Sequence, residues 1–127
     1  MVKLGLIAAG SALGGVLRYL LQGLGQHWVE GAFPLGTLLV NVLGCFLIGF
    51  LNAAFTGPLL IREEYRIALT VGVLGGFTTF SAFGWETFAL ANDGQGVRAL
   101  FNLMLSVTLG LTAVWGGYRL AEKWLGV

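Results

Sequence analysis

The sequence predicts an all-α membrane protein of four transmembrane helices, forming one four-helix domain over residues 1–127. Three observations carry this. Hydrophobic residues make up 57% of the chain and charged residues 10%, whereas about a quarter of the residues in an ordinary soluble domain are charged. Four mostly apolar stretches follow one another, each near the roughly 20 residues that cross a bilayer. Short polar pieces at 26–30, 62–66 and 92–96 separate them and leave no room for a soluble domain. The 21 glycines fit the same class, because small residues let membrane helices approach closely. They do not indicate disorder, since the polar residues that disordered chains need are missing.

The first span covers residues 4–25 and is interrupted once, by Arg18. About seven residues from its helix end, at roughly 1.5 Å per residue, Arg18 can snorkel outward. Lys3, the apolar run and the small residues around Ala8 and Ala12 loosely resemble a secretory signal. The apolar run continues past them, which favours a span over a cleaved leader.

The second span lies within residues 31–61, which hold no charge, and is placed at 35–55. It contains Asn41 and Asn52. Asn41 is deep enough that its amide must find a partner. That partner is either a neighbouring helix, the reading composition favours, or an ion. Cys45 is the only cysteine and reads as a small buried hydrophobe.

The third span, at 67–85, is the most informative. Gly75 and Gly76 are followed by Thr78, Thr79 and Ser81 in mid-span. Gly is a poor helix former, and Thr and Ser can serve freed backbone groups, so a break near 75–79 is one reading. A break exposes carbonyl oxygens that can coordinate a hard cation such as Na⁺. The other reading, which periodicity alone favours, is a packing face formed by Gly72 and Gly76. Phe80 and Phe83, three apart, share a face; their ring edges carry partial positive charge that can face a small anion.

The fourth span is placed at 99–118. Asn102 and Ser106 share one face and Thr108 and Thr112 another, which suggests a side turned toward water or ions. Trp28, Tyr65, Trp85, Trp115, Tyr118 and Trp124 fall near span ends, where amphipathic rings favour the interface. An even number of spans puts both termini on one side, together with the 62–66 loop. Lys3, Arg62, Arg66, Arg119 and Lys123 gather there, against Arg18 and Arg98 opposite. That five-to-two bias places the termini in the cytoplasm.

Several function classes are disfavoured. A net charge of +1 without a basic patch points away from nucleic acid. No Ser-His-Asp set, metal-ligand cluster or phosphate loop is present, and His27 stands alone in a loop, so an enzyme is not expected. Glu30, Glu63, Glu64, Glu86, Asp93 and Glu122 are all placed at or beyond span ends. No carboxylate is therefore expected near the midplane, where proton-coupled transporters need one.

Gly-Gly-Phe-Thr-Thr-Phe-Ser-Ala-Phe at 75–83, Leu-Val-Asn-Val-Leu-Gly-Cys-Phe at 39–46 and Gly-Gly-Val-Leu-Arg-Tyr at 14–19 resemble the Fluc (CrcB) fluoride channels over nearly the whole chain. The resemblance implies a multi-pass protein of the cell inner membrane that exports cytoplasmic fluoride passively and rejects chloride. It implies an antiparallel, dual-topology homodimer with two pores and, with the residues above, a third helix broken near its middle. By motif position, Phe80 and Phe83 would line the pore and Asn41 would be its polar residue on the second helix. Ser106 would belong to a polar track on the fourth helix, and Arg18 would match an arginine near the entrance. Gly75 and Thr78 would give backbone carbonyls to a structural Na⁺ shared between the chains.

The physics is compatible. Fluoride is tightly hydrated, and amide, hydroxyl and ring-edge groups can replace its shell without the full charge that would trap it. A chain this small has little room for a lined pore, which argues for association about a two-fold axis. The five-to-two bias departs from dual topology, which predicts near-equal Lys and Arg on the two sides. The alternatives are a small multidrug-resistance-type transporter, which needs a first-helix carboxylate that 4–25 lacks, and a non-conducting subunit of a membrane complex.

Overall fold

A computed structural model describes residues 1–57 and 59–127. The regular structure among them is helical, and four helices are long and apolar enough to cross a membrane: Val2–Gln26, Leu35–Thr56, Glu63–Asn92 and Gly96–Leu125. The first two are α1 (Val2–Gln26) and α2 (Leu35–Thr56). The third is composite: α3 (Glu63–Ile67), a π-helical segment (Ala68–Leu74), α4 (Gly75–Phe77) and, after an interruption, α5 (Phe80–Asn92). The last is α6 (Gly96–Leu125).

Three expected boundaries are corrected. The third helix begins before 67, because Glu63 and Glu64 in its first turn suit the positive end of the helix dipole. It continues past Trp85 because Glu86 finds a partner on α2. The fourth helix runs beyond Tyr118, with Arg119 and Glu122 paired at 2.8 Å on its surface. It stops where Gly126 takes φ +67°, the left-handed position that commonly closes a helix.

Mid-span in the third helix, the backbone turns extended at Thr78 (φ −85°, ψ 158°) and Thr79 (φ −149°, ψ 111°). The two sequence readings of this region, break and packing face, hold together. A Cβ on Gly76 would strike the Ser11 carbonyl of α1, and one on Gly14 would run into the Val73 carbonyl. These glycines let the π segment and α4 lie directly on α1, and the break follows where that seam ends. A second seam joins α2 to α6: side chains on Gly49 or Gly117 would collide with the carbonyls of Val114 or Phe46.

Both termini lie at one end of the bundle. Lys3 reaches Glu63 at 3.0 Å, and Val127 packs against Gly57. Buried apolar side chains include Val40, Ala53, Ala54, Phe77 and Ala121. Many large apolar side chains, among them Leu13, Val16 and Leu111, face outward, as suits a protein whose solvent is lipid. Asn52 and Thr112 bond carbonyls of their own helices, at Ile48 and Thr108. The Thr112 hydroxyl of the Thr108–Thr112 stripe is thus satisfied within its own helix.

Candidate functional site

The interruption is built from α2. Asn41 Nδ2 donates to the Thr79 carbonyl at 3.0 Å, and Asn41 Oδ1 accepts from the Thr79 N–H at 2.8 Å. One amide thus satisfies both backbone groups of an extended residue, which would otherwise be costly inside a membrane. Three residues on, the Thr78 methyl fills the space that a Gly44 side chain would need. Thr79 Oγ1 then caps α5, accepting from the Ala82 N–H at 3.1 Å, and lies 3.3 Å from Ser81 Oγ.

These bonds divert helix donors. In an unbroken helix the Thr79 N–H would bond the Gly75 carbonyl, and the Ala82 N–H would bond the Thr78 carbonyl. Asn41 and Thr79 Oγ1 take those donors instead, so the Gly75 and Thr78 oxygens leave the helical ladder. Such oxygens are the donor type a hard cation takes. Among the described residues no group of three or more His, Cys, Asp or Glu could hold a metal.

A cavity of about 420 Å³ opens beside the break. Asn41, Gly75, Thr78, Phe80, Phe83 and Ser106 all line it, with Cys45 and Thr70. The rings of Phe80 and Phe83 lie 5.6 Å apart and tilted by 48°. The cavity is open on one side, and Phe80 is 83% exposed.

Arg18 stands apart. It lines a separate groove with Gln22, Thr79 and Ser81. α1 sits on the Gly72–Gly76 face of the third span and meets α2 through Gly25 and Gly36, and Arg18 does not border the cavity that Asn41 and Cys45 line. Thr79 alone of the break residues borders both hollows.

Two features were not read from the sequence. Ser106 lines the cavity, but Asn102, expected on the same face, is buried at 2% exposure and donates to Thr87 Oγ1 at 2.8 Å. Glu86, placed at a span end by the sequence, lies inside α5. Thr37 Oγ1 donates to its Oε1 at 2.7 Å, and Gln22 Nε2 donates to Thr37 at 2.7 Å. Glu86 Oε2 is buried with no partner among the described residues. The available signal was Thr37 itself, a polar residue in an uncharged span and therefore in need of a partner.

Residues 5–118 match the family model described as CrcB-like protein, Camphor Resistance (CrcB). A protein of Geobacter sulfurreducens named fluoride-specific ion channel FluC is 48% identical over 118 residues, 92% of this chain and 94% of the relative. Proteins of the same name from Solibacter usitatus and Geobacter metallireducens are 47% and 46% identical. They cover 93% and 96% of this chain, and 97% and 98% of their own lengths.

Proposed function

The chain belongs to the CrcB-like family, and from that membership we propose that it is a fluoride-selective channel, exporting cytoplasmic fluoride passively across the inner membrane. The observation that carries the reading is the gathering of Asn41, Phe80, Phe83 and Ser106 around one cavity beside a broken helix. The Ser106 hydroxyl can donate to fluoride, and the ring edges of Phe80 and Phe83 offer partial positive charge. Asn41 has two N–H groups on Nδ2; one serves Thr79 and the other remains to face an ion. No Lys or Arg lines the cavity, so nothing there would bind the anion too tightly to release it.

The working unit in this reading is a homodimer. An open cavity with carbonyls released from a helix is a poor surface to present to lipid. A second copy packed about a two-fold axis closes it and covers the exposed Phe80. The Gly75 and Thr78 carbonyls would hold a structural Na⁺, which would supply positive charge without a titratable group. Both-way insertion is part of the proposal, and labelling the two ends from each side of a vesicle tests it against the five-to-two bias of Lys and Arg. Arg18 serves the entrance groove rather than the cavity.

The test is anion efflux from liposomes holding the purified protein, fluoride against chloride, with Phe80→Ile beside wild type. Fast fluoride release, little chloride release and at least about a hundredfold loss in the variant are expected, since a pore-lining ring is replaced outright. Absence of fluoride flux from folded wild type removes the channel reading. Flux that survives in Phe80→Ile keeps the channel and overturns the role of Phe80.

A further inference from the structure

Resting on the channel reading, we propose that Asn102 and Thr87 form a positioning pair that fixes α5, and with it Phe80 and Phe83, while Asn102 itself never meets the ion. α5 has 13 residues, and the extended stretch at Thr78 and Thr79 separates it from the helix before it. Its first turn is tethered through Thr79 to Asn41 and through the Thr79 cap on Ala82. Glu86 further ties α5 to α2 through Thr37; a tie to α6 is what remains to stop the helix turning about its axis and carrying the ring pair with it.

The anchor to α6 lies one turn beyond Phe83. Thr87 Oγ1 donates to the Phe83 carbonyl at 2.7 Å and accepts from Asn102 Nδ2 at 2.8 Å. One hydroxyl thus joins the backbone of a cavity residue to α6. Asn102 is among the most completely buried side chains of the described chain and does not line the cavity. Ser106, one turn along α6, does line it. The polar face of α6 divides between the two: α5 covers the Asn102 level, and the cavity opens at Ser106.

The experiment compares fluoride efflux from liposomes for wild type, Thr87→Val, Thr87→Ser, Asn102→Leu and the Thr87→Val/Asn102→Leu double variant. Each is checked for a single folded species in detergent. Thr87→Val keeps the shape and removes the hydroxyl. It is expected to slow fluoride about tenfold, the effect of leaving a buried amide without its acceptor. Thr87→Ser is expected to restore flux to near the wild-type rate, which a general loss of packing would not allow. Asn102→Leu is expected to slow flux by a similar factor, and the double variant no further than either single, because the residues act as a unit.

Wild-type protein without fluoride flux overturns the channel reading itself. With wild type conducting, an unchanged Thr87→Val overturns the positioning pair. A slow Asn102→Leu beside that unchanged Thr87→Val assigns Asn102 to the ion instead. If Thr87→Val does not fold, Thr87→Cys, near in size with a weak acceptor, is compared with Thr87→Ser. Equal rates in those two also overturn the proposal.

Discussion

Asn41 gives its amide to a single backbone residue. Its oxygen takes the Thr79 N–H and its nitrogen reaches the Thr79 carbonyl, so the break exists because a side chain of another helix completes it. Leucine at this position fills the volume and serves neither group. Asn41→Leu is therefore expected to destabilise the protein by about 2–4 kcal/mol, two buried backbone groups at roughly 1–3 kcal/mol each with partial relaxation. Thermal unfolding in detergent measures this. A melting temperature equal to wild type would mean that the break holds without its clamp. Asn41→Asp keeps both bonds only when protonated, its O–H donating to the Thr79 carbonyl and its C=O accepting from the N–H. Its melting temperature is expected to rise toward wild type as pH falls, because the carboxylate would leave a charge beside that carbonyl. The need for a partner at Asn41 was readable from its depth in an uncharged run; the identity of the partner was not, since Thr79 lies 38 residues away.

At the scale of elements, hydropathy located the four spans but not their ends or the irregularity of the third. Apolar runs mark where lipid touches the helix, whereas helices continue wherever their polar turns are served, as at Glu63 and Arg119. The π-helical segment has a tertiary cause: the chain there follows the backbone of α1 through Gly10 and Gly14, and no local sequence period encodes that. Glu86 stays at the level of the ends of α1 and α2, beside Gln22 and Thr37, and what the sequence did not give is its partner, because that bond comes from Thr37 on another helix. The glycine pair at 14 and 15 tests the seam. A Cβ on Gly14 meets the carbonyl of Val73 and the amide nitrogen of Phe77, rigid backbone on both counts, while one on Gly15 meets nothing. Gly14→Ala is expected to cost about 1–3 kcal/mol by overpacking. Gly15→Ala should be neutral or stabilising by up to about 1 kcal/mol through helix propensity. Matched melting curves of the two variants check this, and equal destabilisation would mean that the α1 seam is looser than its geometry.

For the whole molecule, the question is whether the cavity beside the break is the route an ion takes, and the single cysteine offers a direct answer. Cys45 lines that cavity, half-buried, and Gly110 packs beside its sulfur. Thiols react with methanethiosulfonates through the thiolate, a form that exists only where water reaches the sulfur. In a conducting assembly the cavity must be wet enough for fluoride to exchange its shell, so a small charged methanethiosulfonate should reach Cys45 and leave a fixed group in the path. Fluoride efflux from treated liposomes is expected to fall at least about tenfold, because a bound charge in a narrow passage holds or repels the permeant ion. Cys45→Ala should conduct like wild type and ignore the reagent, since no other thiol is present in the chain. Labelling of Cys45 with unaltered flux would place the ion elsewhere. Protection of Cys45 in conducting liposomes, with labelling in detergent once the subunits are separated, would show that the partner copy seals this part of the cavity. The wet path would then be confined to the side where Phe80, Phe83 and Ser106 lie.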